Sequence, residues 1–583
     1  MEKEPLFKRI KNLVFGGPRN VHDKTIFHKL SLIAFFAWVG LGADGLSSSC
    51  YGPQEAFLAL HGHMYLSIFV AIGTVITIFI ISASYSQIVE LFPYGGGGYL
   101  VASKLLSPTL GMISGCALLI DYVLTVTVSV ASGADAIFSF LPGHLLPYKL
   151  SFAILMVLIL IYLNMRGVKE SIAPLVPVFL LFLITHVFII IYAITKYAPS
   201  LSGLAASTII DTQATISQVG FFGLMLLVLR AYSMGAGTFT GIEAVSNGIP
   251  ALREPKVQTA KRTMHYMAFS LSFIVLGLMV AYLLFQVKPE TGKTLNAILF
   301  EQTTGTWKWG RLFVFVTLFS EATLLFVAAQ TGFLGGPRVL ANMAADRWVP
   351  VRFSSLSDRL VIQKGLLIVG GLSIVLMFFT RASVKFLVVL YSINVFITFV
   401  LSQAGMVRHW WNSRNKIKHW VRKILISGVG FLLCAFILIT MLVMKFNEGG
   451  WITLFITATL VLLAILTKRH YYRIAKQLRR LNNLVVAAEL PEPNEVVLTQ
   501  PLKFDPKEKT AVLLVNGFNG MGLHTLFGVI RLFGDTFKNF VFLEVGMVDA
   551  GNFKGVEEIE NLKEHVKDDL NRYISFMNRR GYY

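Results

Sequence analysis

The sequence predicts an all-α membrane protein of about twelve transmembrane helices, followed by a small partial α/β cytoplasmic domain. Three observations carry this prediction. The chain has 583 residues, of which 55% are hydrophobic and only 14% are charged. Apolar runs near the length that crosses a bilayer, roughly 20 residues, recur along most of the chain. The first and the sixth of these runs are interrupted by glycine-rich segments that contain an acid.

Each apolar run is interpreted as one transmembrane helix. The runs lie near 31–60, 64–91, 111–140, 149–165, 172–195, 217–250, 266–287, 311–336, 365–380, 384–406, 424–444 and 450–467. No cleavable signal peptide is expected, because the chain starts basic and polar and its first apolar run is too long and too glycine-rich. The membrane domain is therefore placed at residues 31–467, after a cytoplasmic N-terminal arm at residues 1–30.

The charge distribution predicts the orientation in the membrane. The net charge is +20, from 52 Lys and Arg residues against 32 Asp and Glu residues. The basic residues concentrate in alternate loops, with the loop after the seventh run as the exception, and loops of this kind face the cytoplasm. We therefore expect a multi-pass protein of the plasma (inner) membrane with both termini in the cytoplasm. The positive charge is attributed to this bilayer topology rather than to nucleic acid.

The first apolar run contains the segment Gly40–Pro53, whose glycines and proline should open the helix in the middle of the membrane. Gly42 and Gly45 are the predicted helix-break residues, and Asp44 lies between them. A carboxylate in hydrocarbon is costly, so it is retained where it faces water, a partner or a substrate. Broken helices at bilayer depth form the binding site of many secondary transporters.

A second break is predicted in the sixth run, at Gly237 and Gly241, and it is followed by the acid Glu243. Breaks in helices one and six are the pattern that an inverted five-plus-five repeat predicts, with the two broken helices facing each other. The alternative is that the glycines only permit close helix packing. Packing alone explains neither acid, so we favour a binding site.

The third run adds Asp121, Thr125 and Ser129, which are spaced four residues apart and share one helix face. Back-bonding of the two hydroxyls to their own helix is the alternative for each of them.

Carboxylate, hydroxyl and freed carbonyl oxygens, which are the groups that these segments offer, suit a hard cation. At Asp44, a substrate carboxylate about 4 Å away would be repelled by about 4 kcal/mol at an effective dielectric of about 20. This favours a cation without excluding an amine.

Several segments resemble a known family. They are Ala43–Gly52, Pro93–Tyr99, Asp121–Ser129, Thr240–Asn247 and Leu390–Met406. Their residues, in this order and in these helices, resemble the KimA-type high-affinity potassium importers of the potassium-uptake permease (KUP) family. That family lies within the amino acid–polyamine–organocation (APC) superfamily. The resemblance covers most of the membrane domain, whereas the cytoplasmic part is shorter and matches poorly.

The resemblance implies a LeuT/APC-like fold, potassium uptake by proton/potassium symport, and a homodimer assembled through the cytoplasmic domains. It implies an ion site made of Asp44, Tyr51, Asp121, Thr125, Ser129, Thr240, Glu243 and Tyr391. Asp121 and Glu243 are the candidates for carrying the proton. The alternative function is an amino acid or polyamine permease of the same superfamily, which the fold alone does not distinguish.

Two further charged residues lie inside predicted helices. Glu321, in the eighth run, matches no family acid; we favour a buried, hydrogen-bonded structural role over an extra proton site. Arg230 precedes the second break, where it could pair with a site carboxylate until a cation binds, or form a static salt bridge. His186, alone in the fifth run, is interpreted as a packed and satisfied histidine rather than a proton relay.

Residues 468–505 are predicted to form a basic helix and a polar linker, and residues 506–583 a partial α/β domain. Strands are expected at 510–515 and 539–548, with helices at 523–533 and 556–580, and a third strand would be expected beyond Tyr583. The turn Gly517–Gly522 could hold the phosphate of a nucleotide regulator, but it fits neither standard nucleotide motif, so a plain turn is favoured. No enzyme motif, cofactor motif or metal cluster is found, and the only metal expected is transported potassium.

Overall fold

The computed structural model describes residues 32–93, 95, 97–166, 172–197, 199, 201–249, 252–357, 361–489, 504–547 and 556–583. The predicted N-terminal arm at 1–30 and the linker residues 490–503 lie outside the described residues. The chain divides into two compact units. The first comprises Met1–Met343 with Ser357–Leu462, and the second comprises Ala344–Leu356 with Leu463–Tyr583.

The first unit is an α-helical membrane domain. In the part of the chain that the structure describes, 10 helical stretches are long and apolar enough to cross a membrane. One of them, Trp420–Val486, contains two helices that are joined by a wide turn at Phe446–Gly450. Helix one consists of short pieces and is not among the 10. When Trp420–Val486 is counted as two helices and helix one is added, the described part of the chain has the twelve membrane segments that the apolar runs predict.

The uninterrupted helices follow the predicted runs, with ends that differ by up to about ten residues. They are helix two at Ser67–Leu91, helix three at Pro108–Phe138, helix four at Lys149–Arg166, helix five at Ile172–Lys196, helix seven at Lys256–Leu284, helix eight at Gly310–Ala345, helix nine at Gln363–Thr380, helix ten at Val384–Asn412, helix eleven at Trp420–Lys445 and helix twelve at Trp451–Leu478. A shorter helix, Leu295–Thr304, lies between helices seven and eight, and the Thr294 hydroxyl caps it by accepting a hydrogen bond from Ala297 N.

Helix one is broken into pieces. It runs as Ala34–Gly40, Gly42–Ser47, a tighter 3-10 turn at Ser48–Cys50, and Gly52–Leu58. The interruptions fall at Leu41 and Tyr51, so Gly42 and Gly45 lie inside the middle piece rather than at a break. Packing explains why glycine occurs at position 45: an added Cβ would lie 2.8 Å from the sulfur of Met267.

Helix six begins earlier than its apolar run predicts. Helical structure starts at Leu201, and Gly220, with φ of 75°, separates an additional helix from the membrane segment that ends at Met234. The additional helix carries a mixture of polar and apolar residues, so it does not appear as an apolar run. After Met234 the chain tightens into a 3-10 turn at Gly235–Phe239, passes through Gly241 at φ of 80°, and resumes as Ala244–Gly248.

The second unit contains a two-stranded parallel sheet. β1 (Lys509–Val515) pairs with β2 (Phe537–Glu544), and the helices Gly520–Phe533 and Val556–Arg579 complete the predicted strand–helix–strand–helix order. Residues of the strands and helices form one buried cluster. Its members are Ala511, Leu513, Phe518, Leu523, Leu526, Phe540, Tyr573, Phe576 and Met577. Tyr583 exchanges backbone hydrogen bonds with Lys538 and Phe540, which is the hydrogen-bond pattern of a second parallel pairing along β2.

The glycine-containing turn after β1 is closed by its own side chains. The side chain of Asn519 accepts hydrogen bonds from Met521 N at 3.1 Å and from Gly522 N at 3.0 Å. The Tyr573 hydroxyl donates to Gly517 O at 3.1 Å. Because Asn519 already uses two of the amides that a phosphate would need, this geometry favours a strand-to-helix turn over a nucleotide cradle.

Leu523→Ala in the full-length chain is expected to destabilise the second unit by about 2–5 kcal/mol, because a fully buried leucine leaves a cavity when it is truncated. Hydrogen exchange of the β1 and β2 amides measures this change. Leu532→Ala on the same helix is the matched control, since Leu523 is 0% exposed and Leu532 is 79% exposed. Equal exchange rates in the two variants would contradict the proposed core.

Candidate ion-binding site

The interruptions of helices one and six meet backbone to backbone. A Cβ added to Gly241 would lie 2.5 Å from Gly45 N and 2.7 Å from the carbonyl carbon of Asp44. A second contact follows one helical turn further along, where the Ser48 hydroxyl donates to Thr238 O at 3.0 Å. The residues Gly237 and Gly241, predicted as breaks, therefore lie where the two helices are in direct contact.

Three acidic side chains converge at this junction. Asp44 comes from helix one, Asp121 from helix three and Glu243 from the segment after the helix-six break, and all three are buried. Asp121 and Glu243 are close enough for a hydrogen bond between their carboxyls, and Asp44 acts electrostatically on both. One oxygen of Asp121 and one of Glu243 have no hydrogen-bond partner among the described residues.

Hydroxyl groups surround the acids. The Thr125 hydroxyl lies 3.0 Å from the Tyr391 hydroxyl of helix ten, and it also donates to Asp121 O at 3.0 Å. The Tyr51 hydroxyl lies in hydrogen-bonding contact with Thr240. Tyr391 faces both Asp121 and Asp44. Tyr51 also interacts electrostatically with Asp44, Asp121 and Tyr391, so hydrogen bonds or electrostatic interactions connect seven of the eight predicted ligands.

The remaining serines contribute less than the sequence suggests. Ser129, the eighth predicted ligand, is buried one turn beyond Thr125 on helix three. The hydroxyls of Ser47, Ser48 and Ser49 each donate to a carbonyl three residues earlier in helix one, at 2.8, 2.5 and 2.7 Å. Ser47 and Ser49 thus satisfy their own helix, as polar side chains in short helical pieces commonly do, whereas Ser48 shares its hydroxyl between its own helix and Thr238 O.

Two residues at the site are absent from the sequence-based prediction. The Thr331 hydroxyl of helix eight contacts the Asp44 carboxyl. The Tyr85 hydroxyl of helix two donates to Glu243 Oε2 at 3.5 Å. Threonine and tyrosine are common in transmembrane helices, so neither residue stands out until the packing of helices two and eight is known.

The arrangement favours positive charge. Acidic groups buried next to one another repel, and burial removes the water that would screen them. Protons or a bound cation relieve this repulsion. Carboxyl, phenol and threonine hydroxyl oxygens are ligands that hard cations prefer. Two carboxyls in contact can form a hydrogen bond only when one of them is protonated, so Asp121 and Glu243 suit proton binding.

Arg230 does not pair with a site carboxylate. Its guanidinium lies 2.7 Å from Glu448 Oε1, in the turn between helices eleven and twelve. The two side chains are 44% and 32% exposed. Of the two alternatives for Arg230, the structure therefore shows the salt bridge, and the partner is Glu448 rather than an acid of the ion site.

Under the potassium uptake that the sequence resemblance implies, Arg230→Gln is expected to change the potassium concentration for half-maximal uptake by less than about fivefold, because exposed ion pairs contribute about 0–1 kcal/mol. Concentration-dependent uptake in cells expressing equal amounts of protein measures it. Glu448→Gln is the matched control, since it breaks the same pair from the other side. A large loss in Arg230→Gln alone would indicate a direct role at the ion site.

Comparison with known proteins places this chain in a family. Residues 30–466 match the family model described as amino acid permease. The chain belongs to the amino acid permease family. The potassium transporter KimA of Bacillus subtilis (strain 168) is 34% identical to this permease over 481 residues, which cover 81% of the permease and 76% of KimA. The resemblance to the KimA-type importers is thereby confirmed.

Among solved structures, the permease aligns with a manganese transporter of Eremococcus coleocola, crystallised with an aromatic bis-isothiourea substituted compound. The alignment has a TM-score of 0.40 and 16% identity, and it covers 75% of the permease and 95% of the manganese transporter.

Proposed function

We propose that this permease imports potassium, and that it does so by proton/potassium symport across the plasma (inner) membrane. The observation that carries the proposal is the group of three buried acids, ringed by hydroxyls, where broken helices one and six touch. The similarity to a protein named as a potassium transporter gives independent support. The proposed ligands are the eight predicted from the sequence, together with Thr331 as a neighbour of Asp44.

Potassium fits this site better than an amino acid does. An amino acid would bring a carboxylate towards the break in helix one, where Asp44 lies and where Asp121 and Glu243 are close. Three acids would repel that carboxylate more strongly than Asp44 alone. A monovalent cation instead meets carboxyl, phenol and hydroxyl oxygens that replace its water shell.

The Asp121–Glu243 pair is proposed as the proton carrier. When potassium is absent, a proton shared between the two carboxyls relieves their repulsion. Asp44 and the remaining negative charge of the pair then attract potassium, so the site holds the proton and the cation together. Both would be released into the cytoplasm when the site opens inward, which is what symport requires.

The second unit is proposed to mediate a homodimer in the cytoplasm. Parallel sheets are normally covered on both faces, yet Val512, Leu514, Val541 and Leu543 expose one apolar face of the β1–β2 sheet. We propose that a second copy of the chain packs against this exposed face of the sheet. Light scattering of the full-length protein in detergent tests this, with a Leu514→Lys variant expected to lower the dimer fraction and Leu532→Lys as the exposed control.

Complementation of a strain that lacks potassium uptake tests the transport function. The intact permease should restore growth at low potassium, and the double variant Asp44→Asn with Glu243→Gln should not, at matched expression. Growth of the double variant equal to that of the intact chain would contradict the proposal.

Uptake of labelled amino acids and polyamines by the same cells distinguishes a potassium importer from an amino acid or polyamine permease, the alternative that the sequence leaves open. A potassium importer should take up neither class above the background of the empty strain. Amino acid uptake that does not respond to potassium would reject the proposed substrate while leaving the fold assignment intact.

A further inference from the structure

A further buried acid, Glu321, lies outside the ion site, between helices five and eight. Glu321 Oε2 is 3.5 Å from His186 Nε2, and the two side chains are 1% and 0% exposed. On the other side of the carboxyl, Asn296 Nδ2 donates to Glu321 Oε1 at 3.1 Å. The Tyr282 hydroxyl in turn donates to Asn296 Oδ1, which fixes the orientation of that amide.

The hydrogen bonds of His186 determine which ring nitrogen carries a proton. Nδ1 lies 2.9 Å from Phe182 O, and a carbonyl only accepts, so Nδ1 must donate. In a neutral imidazole, Nε2 therefore has a bare lone pair directed at Glu321. Neither His186 Nε2 nor Glu321 Oε2 has a hydrogen-bond partner among the described residues.

One proton would satisfy both atoms. With an ionised Glu321 and a neutral His186, two lone pairs would face each other in a buried space, which is unfavourable. A proton on Glu321 Oε2 could be donated to Nε2, or a proton on Nε2 could be donated to Oε2. Either placement leaves the pair with one more proton than an ionised acid beside a neutral imidazole.

We propose that His186 and Glu321 together hold one exchangeable proton, forming a proton site separate from Asp121 and Glu243. The proton itself follows from the geometry of the pair. Only the expected effect on uptake rests on the proposed transport function. Glu321 is buried and hydrogen-bonded, as expected from the sequence, and His186 is packed, but its Nε2 is not satisfied as expected. The proposal adds a shared proton to these roles.

The surroundings connect this pair to the ion site. Glu321 interacts electrostatically with Cys50 of helix one and with Tyr282 of helix seven, and the Cys50 thiol is also in hydrogen-bonding contact with Glu321. Cys50 ends the 3-10 turn of helix one and directly precedes Tyr51, a proposed potassium ligand. The Phe182 and Phe300 rings enclose the imidazole, with centroids 3.9 and 5.2 Å away. The charge of Glu321 thus acts electrostatically on the segment of helix one that positions Tyr51.

Infrared difference spectroscopy of the purified full-length protein, recorded on changing pH, detects the proton. We expect a carboxyl or imidazole signal that is lost in Glu321→Gln and altered in His186→Gln. Glutamine keeps the oxygen that accepts from Asn296, so the first variant preserves the shape of the site. Asp135→Asn is the control, because Asp135 is paired with Lys149 at 2.6 Å and lies outside both proton sites.

Potassium uptake at a series of pH values gives the second readout. Both variants should shift the pH dependence of uptake in the same direction, while the control follows the unaltered chain. A static role would lower uptake equally at every pH. Unchanged spectra and an unchanged pH dependence in both variants would overturn the proposal. So would failure of both variants to yield folded protein, which would assign a structural role.

The infrared measurement detects the shared proton whether or not the protein transports potassium. If the chain carried no potassium, the proposed function would fail, yet the spectra of Glu321→Gln and His186→Gln would still decide whether the pair holds a proton. If potassium uptake is present and the spectra are unchanged, only the second proton site is rejected.

Discussion

Asp44→Asn is expected to lower the apparent affinity for potassium by up to a thousandfold. A carboxylate about 4 Å from a monovalent cation contributes about 4 kcal/mol at an effective dielectric of about 20. Asparagine keeps the size and one oxygen of the side chain but removes the charge. Because Asp44 is buried beside Asp121 and Glu243, no water replaces the lost attraction. Uptake measured over a range of potassium concentrations tests this.

Asp135→Asn is the matched control for Asp44→Asn. It removes an acid of helix three whose partner is Lys149, at 2.6 Å and away from the junction of the broken helices. We expect its potassium affinity to stay near that of the unaltered permease. If both variants lost affinity equally, the effect would reflect general damage to the membrane domain, and Asp44 would lose its assigned role.

Gly241→Ala is expected to abolish uptake. Gly241 has φ of 80°, a conformation that costs an L-residue with a side chain about 1–2 kcal/mol. The added methyl group would also lie 2.5 Å from Gly45 N. Backbone atoms of two helices would have to separate, and this displaces Asp44 from Glu243. Potassium uptake at matched expression, with detergent gel filtration to check folding, measures the result.

Gly371→Ala and Gly428→Ala are the controls for Gly241→Ala. These glycines lie inside helices nine and eleven, and an added Cβ at either position meets no atom within 4 Å. Alanine also favours a helix over glycine by about 1 kcal/mol, so both variants should fold and transport. Normal uptake by Gly241→Ala would show that the two broken helices need not touch.

The membrane segments were predictable because each depends on local composition. Apolar length identifies a transmembrane helix from its own residues, and acids such as Asp44 and Glu243 stand out because hydrocarbon excludes them. The additional helix from Leu201 was not predicted, because its polar residues break the apolar run. A helix can form without a continuous apolar run when neighbouring elements pack against one of its faces.

The proximity of side chains from distant helices was not predictable from local patterns. Thr331 reaches Asp44 only because helix eight packs beside helix one, and His186 faces Glu321 only because helix five packs beside helix eight. The close approach at Gly241 is similar, since its sequence signal is a glycine among several glycines. Arg230 illustrates the converse, because proximity to the break in sequence did not bring its side chain to the acids.

The central claim is that oxygen ligands at the junction of helices one and six couple potassium entry to protons. Flux into proteoliposomes, with the potassium and proton gradients set independently, tests it most directly. An acidic exterior should drive potassium accumulation against its own gradient, and a proton ionophore or Asp44→Asn should stop it. Potassium movement that follows only its own gradient, whatever the proton gradient, would contradict the account.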